Sequence, residues 1–246
     1  MSWAVAPVLD EVMARLLVHV EGETEEAFVN EVLRRHLVRC GYERVSARLV
    51  GNARQRDRRS GIRGWGAVRK DIIRHLREDG GCIATTMVDY YGLPQSGEKT
   101  WPGRAQATSL PVAGRGPHVE TALLEDLRLE IGSDVDCRRF LPFVVVHEFE
   151  GLLFSDCEAF ARAVGQIALA GSFQQIRDGF ETPEDIDDSP LTAPSKRVEA
   201  LIPGYVKPLF GNLAALEIGL DKISAACPHF RAWLSQLEAL ASLSVG

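Results

Sequence analysis

The chain has 246 residues, of which 46% are hydrophobic, and a formal net charge of −6. It can therefore bury a full core without a metal or disulfide staple. Its apolar runs are far shorter than the roughly 20 residues that span a bilayer, and its N-terminus lacks a basic segment followed by an apolar one, so we predict neither a membrane span nor secretion. The 5 cysteines form no Cys-x-x-Cys pair, which disfavours a zinc ribbon or a disulfide framework and predicts a reducing cytoplasm.

The first predicted element is a short buried strand over residues 16–20, where leucine and valine dominate. Gly22 then permits a tight turn that directs Glu21 out of the C-terminal end of the strand. Open α/β sheets bind ligands at that edge. Glu21 is therefore either a ligand for a cation or an acid that complements the dipole of the next helix. We interpret His19, within the strand, as a core histidine.

Helices and strands alternate after this turn. Apolar residues at helical spacing predict helices over 25–38, with Thr24 before the first turn, and over 65–78. Alternating or continuous apolar residues predict strands over 45–50 and 83–88, and Asp89 comes directly after the second of these. Because helical crossovers join parallel strands, we expect Glu21 and Asp89 at the same edge of the sheet.

An arginine-rich stretch joins the second strand to the second helix. Its basic residues are Arg54, Arg56, Arg58, Arg59 and Arg63. Such a strip binds phosphates even in an acidic protein, because the local field matters more than the net charge. The alternative is a solvated loop without a ligand.

A long segment over residues 90–117 is rich in glycine, proline, serine and threonine. Its length predicts a functional lid or a disordered insert, and Trp101, Arg104 and Arg115 are its candidate ligand contacts. A helix is predicted over 118–131 and a strongly apolar strand over 140–146, followed at once by Glu148 and Glu150. Acids thus follow three predicted strands, and carboxylates that converge on one sheet edge need a cation to balance them.

Proline-broken helical segments fill the chain from residue 152 onward. We predict an α/β fold: a domain over residues 1–151 with a mostly parallel sheet flanked by helices, and a helical C-terminal lobe or cap packed on it over residues 152–246. No Gly-x-x-x-x-Gly-Lys-Ser/Thr motif is present, so the chain itself does not look like a P-loop ATPase. His147-Glu148 also lacks the second histidine of the zinc proteases.

Five stretches of the sequence carry a family resemblance. They are Val-Glu-Gly-Glu-Thr-Glu-Glu-Ala-Phe-Val, Met-Val-Asp-Tyr-Tyr-Gly-Leu-Pro, His-Glu-Phe-Glu-Gly-Leu-Leu-Phe-Ser-Asp, Thr-Ala-Pro-Ser-Lys-Arg and Cys-Pro-His-Phe. With these stretches the chain resembles the bacterial family DUF4276 over nearly its full length. The acid after the first strand and Asp89 after a later one also resemble the Toprim fold of topoisomerases, primases and OLD-family nucleases.

This resemblance implies a set of acidic ligands. Glu21 and Glu25 would occupy the first acidic motif of Toprim nucleases, and Asp89 would be the first acid of their Asp-x-Asp motif. Tyr91 stands at the second position of that motif, where a phenol cannot replace a carboxylate on magnesium.

The same resemblance implies substitutes for the missing ligand and a cation. Glu148 or Glu150 would supply the carboxylate that Tyr91 cannot, because OLD-type nucleases use an acid after a later strand. Lys196 would match the lysine that those nucleases place near the scissile phosphate.

The implied activity is hydrolysis of DNA or RNA with Mg²⁺ or Mn²⁺ as cofactor, in phage defence beside a separately encoded ATPase. Hard oxygen ligands suit these cations, and two metals about 4 Å apart would activate water and stabilise the leaving oxygen. Two alternatives remain open. One is a catalytically silent Toprim-like module that binds nucleic acid or an ATPase partner, and the other is a phosphoryl hydrolase for a small substrate.

Overall fold

Parallel strands form the centre of the fold in a computed structural model that describes residues 13–50, 62–186 and 191–243. Their order is β2-β1-β3-β4, with β5 also paired to β3, and every pair is parallel. The strands are β1 (Arg15–Val20), β2 (Arg44–Leu49), β3 (Cys82–Asp89), β4 (Phe140–Leu141) and β5 (Val144–Val145). The predicted α/β class with a parallel sheet is confirmed.

Helices cover both faces of this sheet and make up the C-terminal part of the described chain. They are α1 (Glu23–Phe28), α2 (Arg34–Arg39), α3 (Trp65–Glu78), α4 (Arg104–Ala107), α5 (Val112–Ile131), α6 (Cys157–Ala163), α7 (Ala170–Asp178), α8 (Pro194–Leu201), α9 (Lys207–Ile218), α10 (Leu220–Ala226) and α11 (Pro228–Leu243). A π-helical segment over Val29–Leu33 joins α1 to α2. Within the described ranges no helix has the length and apolar character needed to cross a membrane.

Two buried clusters lie on opposite faces of the sheet, because side chains alternate along a strand. Leu16 of β1 belongs to the cluster that contains Phe28 of α1, whereas Leu17 packs against the cluster that contains Val68 of α3 and Leu123 of α5. The chain therefore leaves β1 towards β2 over one face and leaves β3 towards β4 over the other. The gap between β1 and β3 is the point where the winding reverses, and ligands of doubly wound sheets bind there, at the carboxyl ends of the strands.

The fourth predicted strand, over 140–146, is divided into β4 and β5. Pro142 lies between them and has no backbone N–H for the ladder. The Thr86 hydroxyl replaces backbone hydrogen bonds of the ladder at this point. Its Oγ1 donates to the Phe143 carbonyl at 2.8 Å and accepts from the Phe143 amide at 2.9 Å. The strand is thus kept beside β3 despite the proline.

The segment over 90–117 differs from the predicted lid. Trp101 is fully buried and its Nε1 donates to the Arg63 carbonyl at 3.0 Å. Arg104 is 3% exposed, its Nε donates to the Tyr90 carbonyl at 2.9 Å, and its guanidinium lies 3.7 Å from the centre of the Tyr90 ring. The prediction that Trp101 and Arg104 contact a ligand is therefore wrong, because aromatic packing and backbone acceptors bury both in the core.

The predicted helix bounds can be compared with those in the structure. The predicted helix over 65–78 is confirmed, and the predicted helix over 25–38 is found as the run from Glu23 to Arg39, with Gly22 rather than Thr24 at its start. The predicted helix over 118–131 begins earlier, at Val112, and contains Pro117. His19 is fully buried in β1, as expected of a core histidine.

The C-terminal helices share a core with the sheet. Phe230 and Leu237 of α11 lie in the same buried cluster as Leu16 and Phe28. A polar contact reinforces this packing, since His229 Nε2 lies 2.9 Å from Glu120 Oε1 of α5, and that carboxylate oxygen also accepts from the Val144 amide at 2.8 Å. The division into domains at residues 151 and 152 stays a prediction.

We expect the His229–Glu120 pair to make stability depend on pH. Burial lowers the pKa of His229, but the hydrogen bond and charge of Glu120 outweigh burial and raise the pKa above its ordinary value. The stabilisation is therefore fully present below the unfolded pKa of about 6.5 and is lost as pH rises through the higher folded pKa. Urea unfolding should show a larger loss in wild type than in His229→Gln over this pH range, by on the order of 1 kcal/mol for the charged character of the hydrogen bond, because other buried groups titrate in both proteins. Equal pH profiles would contradict the assignment.

Candidate metal centre at the sheet edge

Glu21 and Asp89 lie side by side where β1 and β3 end. The parallel register pairs Val20 with Met87, so both strands end at the same edge of the sheet. The Asp89 amide donates to Glu21 Oε2 at 3.3 Å, which connects the two acids directly. The predicted meeting of these residues at one edge is therefore observed, at the point where the winding of the sheet reverses.

Glu148 and Glu150 reach the same edge from β5. His147 follows the strand with a φ of 68°, a left-handed conformation that is uncommon for residues other than glycine, and this turns the chain towards Asp89. The Phe149 amide donates to Asp89 Oδ1 at 3.0 Å, which holds the segment between the two glutamates against the end of β3. Glu150 is 1% exposed and its Oε1 has no hydrogen-bond partner among the described residues.

Glu25 joins the cluster from the first turn of α1. It is buried, and its Oε2 accepts from the Gly22 amide at 2.9 Å. This bond satisfies a backbone donor at the start of α1. Glu25 nevertheless lies close enough to Glu21 and Asp89 for their charges to affect one another.

Lys207, at the start of α9, supplies a cation that the sequence analysis missed. Its Nζ lies 3.1 Å from Glu150 Oε2 and 3.9 Å from Glu148 Oε1. No strand end or motif marks this lysine in the sequence. Only the packing of α9 against α1, where Gly211 approaches Thr24, brings it to the sheet edge.

The predicted lysine, Lys196, has a different contact. Its Nζ lies 2.7 Å from Glu199 Oε2 on the same helix, and its side chain is 51% exposed. The preceding residue reaches the site instead, because the Ser195 amide donates to Glu148 Oε2 at 2.9 Å. The Thr-Ala-Pro-Ser-Lys-Arg motif thus contributes the positive N-terminal end of α8, which favours a carboxylate.

Tyr91, where the motif resemblance implies a second acid, makes an aromatic contact. Its ring centre lies 5.3 Å from that of His147, and its amide donates to the His147 carbonyl at 3.2 Å. Tyr91 therefore supports the backbone turn that carries Glu148 and Glu150. Those two glutamates are the carboxylates available in place of a second motif acid.

Burial and mutual repulsion disfavour the ionised state of these acids. Burial raises the pKa of Glu21 to about 7, and burial together with the Glu21 charge raises the pKa of Glu25 to about 7. Burial, followed by the charges of Glu25 and Glu21, holds the pKa of Asp89 well above its ordinary value. Burial also raises the pKa of Glu150, although the Lys207 ammonium opposes this shift. Additional positive charge would therefore stabilise the ionised cluster.

The donor set fits a hard divalent cation. Carboxylate oxygens suit Mg²⁺ and Mn²⁺, and the partnerless Glu150 Oε1 is a buried acceptor that a cation would satisfy. No three of the acids at this edge bring ligand oxygens within 4.8 Å of one another, whereas one other group among the described residues does meet that spacing. Magnesium commonly keeps several waters and binds only one or two carboxylates directly, which suits such a spread of acids.

The described residues on either side of the arginine-rich stretch lie at the same edge. Arg54, Arg56, Arg58 and Arg59 lie outside the described residues. Backbone hydrogen bonds hold the flanking residues beside β1. The Val50 amide donates to the Val20 carbonyl at 2.9 Å, and the Arg63 amide donates to the Val50 carbonyl at 3.3 Å. The Arg63 guanidinium itself lies 2.8 Å from Asp71 Oδ2, in an ion pair on the protein.

Gly92 offers a selective test of the geometry around Glu21. A Cβ at this position would lie 2.7 Å from Glu21 Cδ, so Gly92→Ala must displace the flexible carboxylate rather than the backbone. We expect Mn²⁺ affinity to fall about 10- to 100-fold, as when the support of a ligand is lost, with the unfolding free energy changed by less than about 1 kcal/mol. Calorimetric titration and urea unfolding measure the two quantities.

Gly66→Ala is the matched control, because a Cβ there meets no atom within 4 Å. Its Mn²⁺ affinity should equal that of wild type. Unchanged affinity in Gly92→Ala would show that the Glu21 carboxylate does not serve the cation.

Comparison with known proteins gives a family and one related structure. The profile of the family described as "Domain of unknown function (DUF4276)" matches residues 20–238, which confirms the resemblance drawn from the motifs. The fold is also similar to a solved structure described as the C-terminal region of the Xanthomonas campestris pv. campestris OLD protein, at 16% identity and a TM-score of 0.48, over 95% of this chain and 98% of that chain. No match was found among curated proteins.

Proposed function

This chain belongs to the DUF4276 family, and we propose that it is a divalent-metal-dependent nuclease that hydrolyses phosphodiester bonds in DNA or RNA. The observation that carries the proposal is the gathering of Glu21, Asp89 and Glu150 where β1, β3 and β5 end. Buried acids with raised pKa values at the ends of three parallel strands, beside the point where the winding reverses, are typical of a ligand site.

The acids divide into ligands and supporting groups in this proposal. Glu21, Asp89 and Glu150 would surround the metal, one or two of them as direct ligands and the rest through its waters, with Glu25 and Glu148 beside them. A bound Mg²⁺ or Mn²⁺ would polarise the phosphate, activate water and neutralise the charge of the leaving oxygen.

Fixed hydrogen bonds would orient these groups. The Phe149 amide fixes one oxygen of Asp89, and the Ser195 amide fixes one oxygen of Glu148. Such contacts reduce the reorganisation required when the substrate binds.

Lys207 is the cation that we assign to this reaction in place of Lys196. Its ammonium contacts Glu150, whereas the Lys196 ammonium contacts Glu199 on the outside of α8. A lysine at the acidic edge would position Glu150 and offset negative charge as a phosphate approaches.

The arginine stretch supports nucleic acid as the substrate. Because its flanking residues are hydrogen-bonded beside β1, arginines there would hold the phosphate backbone across the acidic edge. The motif resemblance to OLD-family nucleases extends the proposal to phage defence beside a separately encoded ATPase.

A cleavage assay with two substrate classes tests the proposal. Purified protein should nick supercoiled plasmid or cut RNA with Mg²⁺ or Mn²⁺, lose this activity with a chelator, and leave small phosphoesters intact. Hydrolysis of small phosphoesters alone would favour the small-substrate hydrolase. Absence of cleavage together with absence of saturable Mn²⁺ binding would favour the silent binding module.

A further inference from the structure

A second group of potential metal ligands lies away from the acidic edge. It consists of His36, Cys40 and Glu238, whose ligand atoms all lie within 4.8 Å of one another. His36 Nε2 lies 2.5 Å from Glu238 Oε1 and 3.6 Å from Cys40 Sγ, so one nitrogen faces both an oxygen and a sulfur. None of the three residues belongs to the machinery proposed for cleavage.

Helical spacing and tertiary packing both position this group. His36 lies in α2 and Cys40 follows four residues later at its C-cap, so their side chains share one face of the helix. Glu238 comes from α11, 202 residues further along the chain from His36. The site therefore joins two elements that are remote in sequence.

The backbone around the group is well fixed. The buried Tyr42 hydroxyl donates to the Leu237 carbonyl at 2.9 Å, next to Glu238. Gly41 adopts a φ of 121°, and a Cβ there would lie 3.7 Å from the Ala241 carbonyl oxygen. The Tyr42 hydrogen bond therefore ties the segment after α2 to α11, and the backbone of Gly41 lies close to the same helix.

The combination of nitrogen, sulfur and oxygen donors selects for zinc over the hard cations. Zinc takes histidine, cysteine and carboxylate ligands in tetrahedral geometry, with bonds of about 2.0 Å to nitrogen and 2.3 Å to sulfur. Those lengths place the two atoms about 3.5 Å apart, close to the 3.6 Å between His36 Nε2 and Cys40 Sγ. The closer Glu238 oxygen must move out by less than about 1 Å, which a half-buried side chain permits.

A fourth ligand can come from solvent. All three side chains are partly exposed, and a surface cavity of about 430 Å³ is lined by His36 together with Arg35, Arg39, Asp221 and Lys222. Arg35 contacts Glu31 at 3.9 Å, and Arg39 Nε donates to the Arg35 carbonyl. The cavity thus gives water access to the histidine side of the group.

We propose that His36, Cys40 and Glu238 form a zinc site that fastens α2 to α11, with water as the fourth ligand. Binding would break the hydrogen bond between His36 Nε2 and Glu238, form Zn–N, Zn–S and Zn–O bonds, and release the thiol proton of Cys40 and any proton on His36 Nε2 to solvent. In the absence of metal, burial and the Glu238 charge raise the pKa of Cys40 and keep the thiol protonated. The site would serve structure, since it lies on the helices and not at the ends of the parallel strands.

Cobalt absorption tests the site without interference from the acidic edge, because only a thiolate ligand gives sulfur-to-cobalt charge transfer. The full-length protein, stripped with a chelator and kept reduced, should bind one equivalent of Co²⁺ with this absorption, and Zn²⁺ should displace it. Cys40→Ser should abolish the absorption, and Glu238→Gln should weaken Co²⁺ binding at least about tenfold. Cys137→Ser, at another partly exposed cysteine, should behave as wild type.

Alkylation of wild-type protein provides a test that needs no variant to fold. Zn²⁺ should slow the reaction of Cys40 with iodoacetamide at least about tenfold and leave Cys137 unchanged, as measured by peptide mass spectrometry. Asp89→Asn should retain both the cobalt absorption and the protection, which separates this site from the proposed nuclease. Absence of the absorption in wild type, its persistence in Cys40→Ser, or equal protection of both thiols would overturn the zinc site.

Discussion

Asp89→Asn is expected to abolish metal-dependent cleavage while leaving the fold intact. The amide keeps an oxygen that can accept from the Phe149 amide, so the contact between β3 and the segment after β5 survives. It removes the negative charge that makes the carboxylate a strong ligand for a divalent cation. We expect the rate of plasmid nicking at saturating Mn²⁺ to fall more than about 10²-fold, which exceeds the usual cost of losing a group that only supports a ligand.

Glu23→Gln is the matched control for this variant. Glu23 lies in the first turn of α1 near Glu25 but is exposed to solvent, so the same loss of charge should leave the nicking rate within about twofold. Circular dichroism and urea unfolding establish that both variants fold. Nicking by Asp89→Asn at the wild-type rate would reject Asp89 as a ligand.

Lys207→Met is expected to destabilise the protein without its metal. Glu150 is 1% exposed and its Oε2 lies 3.1 Å from the Lys207 ammonium, so removal of the lysine leaves a buried carboxylate without its cation. We expect the unfolding free energy at neutral pH to fall by about 1.5–3 kcal/mol, the usual worth of a hydrogen bond to a charged group. Urea unfolding in a chelator measures this loss.

A double-mutant cycle identifies the cause. Glu150→Gln in the Lys207→Met background should recover most of the lost stability, because the neutral amide no longer needs the ammonium. Lys196→Met, which removes a lysine from an exposed pair with Glu199, should change the unfolding free energy by less than about 0.5 kcal/mol. Additive effects of Lys207→Met and Glu150→Gln would show that the two side chains do not stabilise each other.

Local sequence patterns were sufficient for most of the sheet and for its acidic edge. The leucines and valines of β1, the turn at Gly22 and the helix over Trp65–Glu78 each follow from the periodicity of neighbouring residues. The acids after β1, β3 and β5 then share an edge because the strands are parallel.

The remaining features depend on contacts between residues that are distant in sequence. Lys207 reaches Glu150 only because α9 packs against α1, and Trp101 is buried against Trp65 with its indole N–H on the Arg63 carbonyl. The last strand is divided at Pro142, and its second part stays beside β3 through the Thr86 hydroxyl of that strand. The periodicity of a single segment contains no information on these partners.

Titration of Mn²⁺ into the full-length Cys40→Ser protein, followed by calorimetry, tests the metal centre most directly, because this background removes the thiolate of the proposed zinc site. The account predicts saturable binding that is lost in Asp89→Asn and retained in Glu23→Gln, each combined with Cys40→Ser. Absence of saturable binding in the Cys40→Ser protein, or equal binding after the Asp89→Asn change, would contradict a metal centre at the ends of β1, β3 and β5.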